Sequence, residues 1–134
     1  MCGCVTFVGV RNAFPLNTLP RGAPVSPGLS LLPSDIAEKS LSKKEIVLPF
    51  AEAERAVEHL VKAGQRLESW EGWVQFNDGG RTKSLRHPGA FVLPPDPARA
   101  GEVTREGMRK AQEIWDRAPE YPGAHLFFCI MVSD

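Results

Sequence analysis

The side chains with the most chemical capacity crowd into one stretch of the chain: Trp70-Glu71-Gly72-Trp73, then Asp78, Arg81, Lys83, Arg86 and His87. An indole beside guanidinium groups is the composition of a protein-binding hot spot, because aromatic and arginine side chains contribute most binding energy per residue. In the alternative reading both tryptophans are packing residues, and Arg81, Lys83 and Arg86 form a solvated strand face. His87 offers a second chemistry. An imidazole titrates near neutral pH and could serve as a general base, with Glu71 or Asp78 as its orienting carboxylate. The sequence has no Gly-x-Ser-x-Gly, no Walker Gly-Lys-Ser/Thr and no His-Glu-x-x-His, so a small enzyme, hydrolase or transferase, would rest on this histidine without a specified nucleophile.

Cys2-Gly3-Cys4 and His125 with Cys129 form four potential zinc ligands, and in strands the even spacing of each pair puts its members on one face. The spacing is not a common zinc-finger pattern, and Cys129 reads more simply as a buried core thiol. The expectation is therefore no metal and no cofactor. Gly79-Gly80-Arg81 has the look of a phosphate-cradling turn, but no helix N-terminus follows it, so it reads as a hairpin. Arg81, Lys83 and Arg86 with Trp73 could also contact single-stranded RNA on a sheet platform, although the RNP1 aromatic pattern is absent.

The elements that position these residues are bounded by composition. A chain of 134 residues, 43% hydrophobic, has the size and apolar content for one core without disulfide or metal staples. Its 16 basic and 16 acidic residues cancel, which removes whole-chain support for nucleic-acid binding. Three cysteines leave one unpaired in any disulfide scheme, as suits thiols in a reducing compartment. The apolar run Cys4 to Val10 is too short for a signal peptide or a membrane span. A cytoplasmic protein without a membrane partner is expected.

Residues 1–33 hold five of the twelve prolines, no acid, and only Arg11 and Arg21 as charges. They read as a Pro-rich N-terminal arm with one short strand, Val5 to Val10, preceding a single domain over 34–134. Ser34 or Asp35 opens a helix of at most two turns. Pro49 would remove an internal hydrogen bond from any helix running through it, so Ile46 to Leu48 reads as a strand and about Ala51 to Ala63 as a helix stopped by Gly64. Arg66 to Phe76 and Arg81 to Leu85 form a hairpin across Asn77-Asp78-Gly79-Gly80. The return strand resumes over Ala90 to Leu93, a second helix covers about Glu102 to Ala118, and His125 to Val132 is an apolar strand covered on both faces.

This order, βαββαβ, predicts an α+β ferredoxin-like sandwich with both helices on one face of an antiparallel sheet. That topology puts the last strand at an edge, where its apolarity demands a cover: the Val5 to Val10 strand, with Cys4 approaching Cys129, or a second copy of the chain in a homodimer. Trp70 and Trp73 fall on opposite faces unless Gly72 bulges, so one enters the core and the other points to the helix-free side.

Over residues 35–89 the sequence resembles small immunity proteins of bacterial polymorphic toxin systems. The resemblance lies in Asp35-Ile36-Ala37, Ser40-Leu41-Ser42-Lys43-Lys44-Glu45, the helix end Leu60-Val61-Lys62-Ala63-Gly64, and Trp70-Glu71-Gly72-Trp73 before Asp78-Gly79. It implies a non-catalytic protein that binds and blocks a cognate toxin. The partner-binding residues expected are Trp70 or Trp73 as anchor, with Glu71, Asp78, Arg81, Lys83 and Arg86 as rim charges and His87 beside them.

Overall fold

The computed structural model describes residues 27–133. Two single turns, α1 (Pro27–Ser30) and α2 (Ser34–Ala37), precede β1 (Ile46–Leu48), α3 (Phe50–Lys62), β2 (Leu67–Gln75), β3 (Arg81–Lys83), α4 (Pro97–Arg117) and β4 (His125–Val132). The described residues thus make an α+β fold on a four-stranded antiparallel sheet, and among them no helix is long and apolar enough to cross a membrane. The core already draws on Leu29 and Leu32, ahead of the expected boundary at residue 34. The Val5 to Val10 strand, Cys2 and Cys4 lie outside the described residues.

Strand order is β1-β4-β2-β3, which corrects the ferredoxin-like placement of the last strand. β4 is an internal strand, paired with β1 through Val47↔Cys129 and with β2 through Trp73↔Phe127. The physical reason is in its composition. A run such as Leu126-Phe127-Phe128-Cys129-Ile130 gains most where both of its backbone edges are hydrogen-bonded and both faces shielded. A homodimer through this strand is corrected with it, because β4 offers no free edge.

The β1 edge of the sheet is covered. On the β1 side, Val47 N–H donates to Ser40 Oγ at 3.0 Å and Leu41 N–H to the Val47 carbonyl at 2.9 Å, so the 40–45 loop occupies the edge. Pro49 ends β1 and leads directly into α3, where Ala53, Ala56, Val57 and Leu60 are buried on one face. The second long helix begins five residues before its expected start. Asp96 accepts from Arg99 N–H at 2.9 Å and Pro97 occupies the first turn, where its missing N–H costs nothing. Gly101 lets α4 approach α3, since a Cβ there would lie 2.7 Å from Val61 Cγ2.

One face of the sheet supplies Ile46, Leu48, Trp70, Val74, Leu126, Phe128 and Ile130 to a core closed by α3 and α4. Phe128 is fully buried at its centre, with ring centroids 6.1 Å from Phe50 and 5.8 Å from Trp70. Truncating such a residue to alanine costs about 3–5 kcal/mol. On the opposite face Val47 and Cys129 are also fully buried.

Candidate functional site

The alternation of β2 sorts the expected site residues onto different surfaces. Trp70 faces the helices, 6% exposed, and α4 accommodates it through Gly107, whose Cβ would lie 2.7 Å from Trp70 Cζ2. Trp70 is thus the member of the pair that enters the core, which leaves Trp73 as the one of the two that could serve as anchor. Trp73 points to the helix-free face as the odd spacing requires, but it is largely covered, and its enclosed Nε1–H has no partner among the described residues. Beside it, Glu71 and Lys83 pair at 3.3 Å. With Lys83 engaged and the indole half-covered, this face is poorly suited to stacking bases along a phosphate backbone.

Asp78 sits at the hairpin tip, where its Oδ1 accepts from Gly80 N–H at 2.8 Å and Gly79 takes φ 92°. Arg81 is exposed at the start of β3, on the same face as Gln75. Arg86 lies elsewhere, donating from Nη1 to the Ala118 carbonyl at 3.3 Å beyond the end of α4. Lys83, the register partner of Trp73, and Arg81 thus share the helix-free face with that indole, whereas Arg86 stands apart at the end of α4.

His87 is buried, and its carboxylate neighbour is Glu120 rather than the expected Glu71 or Asp78. Ser84 Oγ donates to Glu120 Oε1 at 2.7 Å and accepts from His87 N–H at 3.0 Å, while Leu85 N–H donates to Glu120 Oε2 at 3.1 Å. The hydroxyl proton thus points at a carboxylate, whereas an activated serine would offer it to an imidazole nitrogen. His87 Nε2 is enclosed without a partner among the described residues, its ring 6.5 Å from that of Trp115. Burial lowers the imidazole pKa against the opposing pull of Glu120, with Arg86 lowering it further. For Glu120, burial pushes the pKa up. Hydrogen bonds from the Ser84 hydroxyl and the Leu85 and Arg86 N–H groups, with the Arg86 charge, outweigh it and hold the carboxyl below its ordinary range. These groups form a latch between the sheet edge and the end of α4.

Cys129 is fully buried on the helix-free face, and burial pushes its thiol up to about 12, with Glu45 and Glu71 adding to the effect. A metal ligand or nucleophile needs the thiolate that this site disfavours. Among the described residues no group of three or more His, Cys, Asp or Glu side chains could hold a metal ion.

The latch holds an irregular outer rail. Beyond β3 the chain stays bonded to β2 in three places: Ser84 N–H to the Gly72 carbonyl, Gly72 N–H to the His87 carbonyl, both 2.9 Å, and Trp70 with Ala90 in both directions at 3.0 Å. Between these points residues 85–86 and 88–89 loop outward, so the expected strand over Ala90 to Leu93 is reduced to a single bridge at Ala90. Gly72 lacks a Cβ where one would lie 2.6 Å from the His87 carbonyl oxygen.

The rail carries the side chains that the sequence pattern did not single out. Leu85, Phe91 and Val92 are 82%, 72% and 88% exposed. Leu93 then turns inward and is buried in the core. In the sequence these residues read as ordinary strand hydrophobics; the one signal against that reading was Pro88-Gly89, which interrupts the alternation. Compared with known proteins, the chain matches no family model, no curated protein and no solved structure.

Proposed function

We propose that the protein is a non-catalytic module that binds another protein through the outer rail, residues 84–92. The observation that carries this reading is the exposure of Leu85, Phe91 and Val92 on a segment whose backbone is fixed at three points. Each large apolar side chain stands to contribute roughly 1.5–3 kcal/mol if a partner encloses it. Anchoring beforehand lowers the ordering cost of association. The loops at 85–86 and 88–89 and the missing N–H of Pro88 disfavour strand addition, so recognition runs through side chains and not through a shared sheet.

Arg81, just ahead of the rail, and Arg86 within it favour a partner with an acidic rim around an apolar pocket. The resemblance to immunity proteins supports a cognate toxin as that partner, and with it a bacterial, cytoplasmic setting. The enzyme alternative is weaker, since His87 Nε2 is closed to solvent and Ser84 is committed to Glu120.

The test replaces Leu85 and Phe91 by aspartate, with Lys110→Glu on the exposed side of α4 as control, and assays complex formation with the product of the adjacent open reading frame and survival of cells producing it. Loss of both in the rail variant alone supports the proposal. Unchanged binding and survival in that variant would overturn it.

A further inference from the structure

The helix-free face of the sheet is more enclosed than the described elements explain. Val47 and Cys129 are register partners on it, and both are fully buried. Around them Trp73, Phe127 and Met131 are partly buried, and the Glu71 side chain is only 13% exposed although it carries a charge. A bare face of an antiparallel sheet leaves its side chains in water. The described helices do not supply the cover. α3 and α4 close the other face, and α1 and α2 place Leu29, Leu32 and Ile36 in the core cluster, to which Val47 and Cys129 do not belong. The Trp73 Nε1–H is enclosed on this face as well, with no acceptor among the described residues.

We propose that residues 1–26 of the same chain dock on this face, with the apolar run Val5 to Val10 over Val47, Cys129, Phe127 and Met131. The described chain begins at Pro27 in α1, which lies beside β4, the strand that carries three of these four side chains. At roughly 3.3 Å per residue the preceding segment has several times the reach needed to cross four strands spaced about 4.8 Å apart. Its chemistry fits the face. It holds no acid that would repel Glu71, and its backbone carbonyls can accept from the Trp73 Nε1–H. Val47 and Cys129 are already closed within one chain, which argues against a second copy as the occupant. Docked there, the segment closes Trp73 to a protein partner, independently of what binds the rail.

The experiment uses the full chain with Cys2→Ser and Cys4→Ser, which leaves Cys129 as the only thiol. A benzophenone side chain is placed at position 7, and separately at position 8, since neighbours in an extended run point to opposite sides. After activation the adducts are mapped by mass. Phe7→Asp and Val8→Asp are made in parallel, and labelling of Cys129 by a thiol reagent is timed at about pH 8. At least one position should give an adduct within a single chain, on the peptides that hold Phe127 to Met131 or Trp73. The matching aspartate variant should label about tenfold faster than the parent while near-ultraviolet circular dichroism shows the core still folded. Adducts that join two copies, adducts that reach no residue of this face, or labelling as slow as the parent's in both variants would overturn the proposal. The adduct map stands on its own if an aspartate variant fails to fold.

Discussion

Gly89 is where the account of the rail is most exposed to refutation. Its φ is 87°, and a Cβ there would fall on the Trp70 carbonyl oxygen and lie 2.7 Å from both the Trp70 carbonyl carbon and Glu71 Cα. All three atoms belong to the backbone of β2, which β4 holds from its other side, so no side chain can swing away to relieve the overlap. Gly89→Ala therefore incurs the left-handed penalty of about 1–2 kcal/mol. It also breaks the paired Trp70–Ala90 bonds, worth roughly 0.5–1.5 kcal/mol each. A destabilisation of about 3 kcal/mol is expected. Gly79→Ala is the internal control: its φ is 92° but nothing lies within 4 Å of the added methyl, so only the conformational penalty of about 1–2 kcal/mol applies. Urea unfolding followed by tryptophan fluorescence measures both. If Gly89→Ala proves no more harmful than Gly79→Ala, the rail is not bonded to β2 as described.

Other consequences are as direct. Leu85→Asp and Phe91→Asp remove exposed side chains, so each should change stability by less than about 0.5 kcal/mol while abolishing partner capture; loss of folding in urea titrations would show that these residues pack. Because the folded-state pKa of His87 lies below its ordinary value of 6.5, the unfolded chain binds the proton more readily there. Stability should hold above about pH 6.5 and fall as pH drops below it, a slope that His87→Gln removes. Glu120, whose folded pKa is depressed below 4.5, contributes stability present above that value and lost only at still lower pH, so a Glu120→Gln variant should lose less on acidification. With Cys2→Ser and Cys4→Ser in place, Cys129 should resist a thiol reagent at about pH 8 until urea unfolds the chain; prompt labelling of the native protein would contradict its burial.

The readable part of the fold was the part set by local chemistry. Pro49 separates β1 from α3 because it can neither donate within a helix nor avoid the preceding turn, and Asn77-Asp78-Gly79-Gly80 supplies the conformations a tight reversal needs. The ends of β4 follow from an uninterrupted apolar run. Strand order was not readable in this way, because it depends on which distant segments pair, and the apolarity of β4 signalled a conflict with an edge position without naming its neighbours. The start of α4 was not legible from the apolar stripe of about Glu102 to Ala118, because its first turn is capped by Asp96 and Pro97, outside that stripe. For the site, the odd spacing of Trp70 and Trp73 fixed that they oppose each other, but not which one the helices cover. The exposure of Leu85, Phe91 and Val92 was not legible, because alternation predicts a half-buried strand wherever apolar residues recur. The latch that turns them outward involves Glu120, more than thirty residues away from Ser84.

What touches the rail in the producing cell decides whether it is a binding surface. A photo-reactive amino acid placed at Phe91, and separately at Glu113 on the exposed side of α4, would be activated in living cells and the adducts resolved by mass. One discrete heterologous adduct is expected at position 91, lost when Leu85 is changed to aspartate, and none at position 113. Equal adducts at both positions, or an adduct at 91 made only of two copies of this chain, would contradict it.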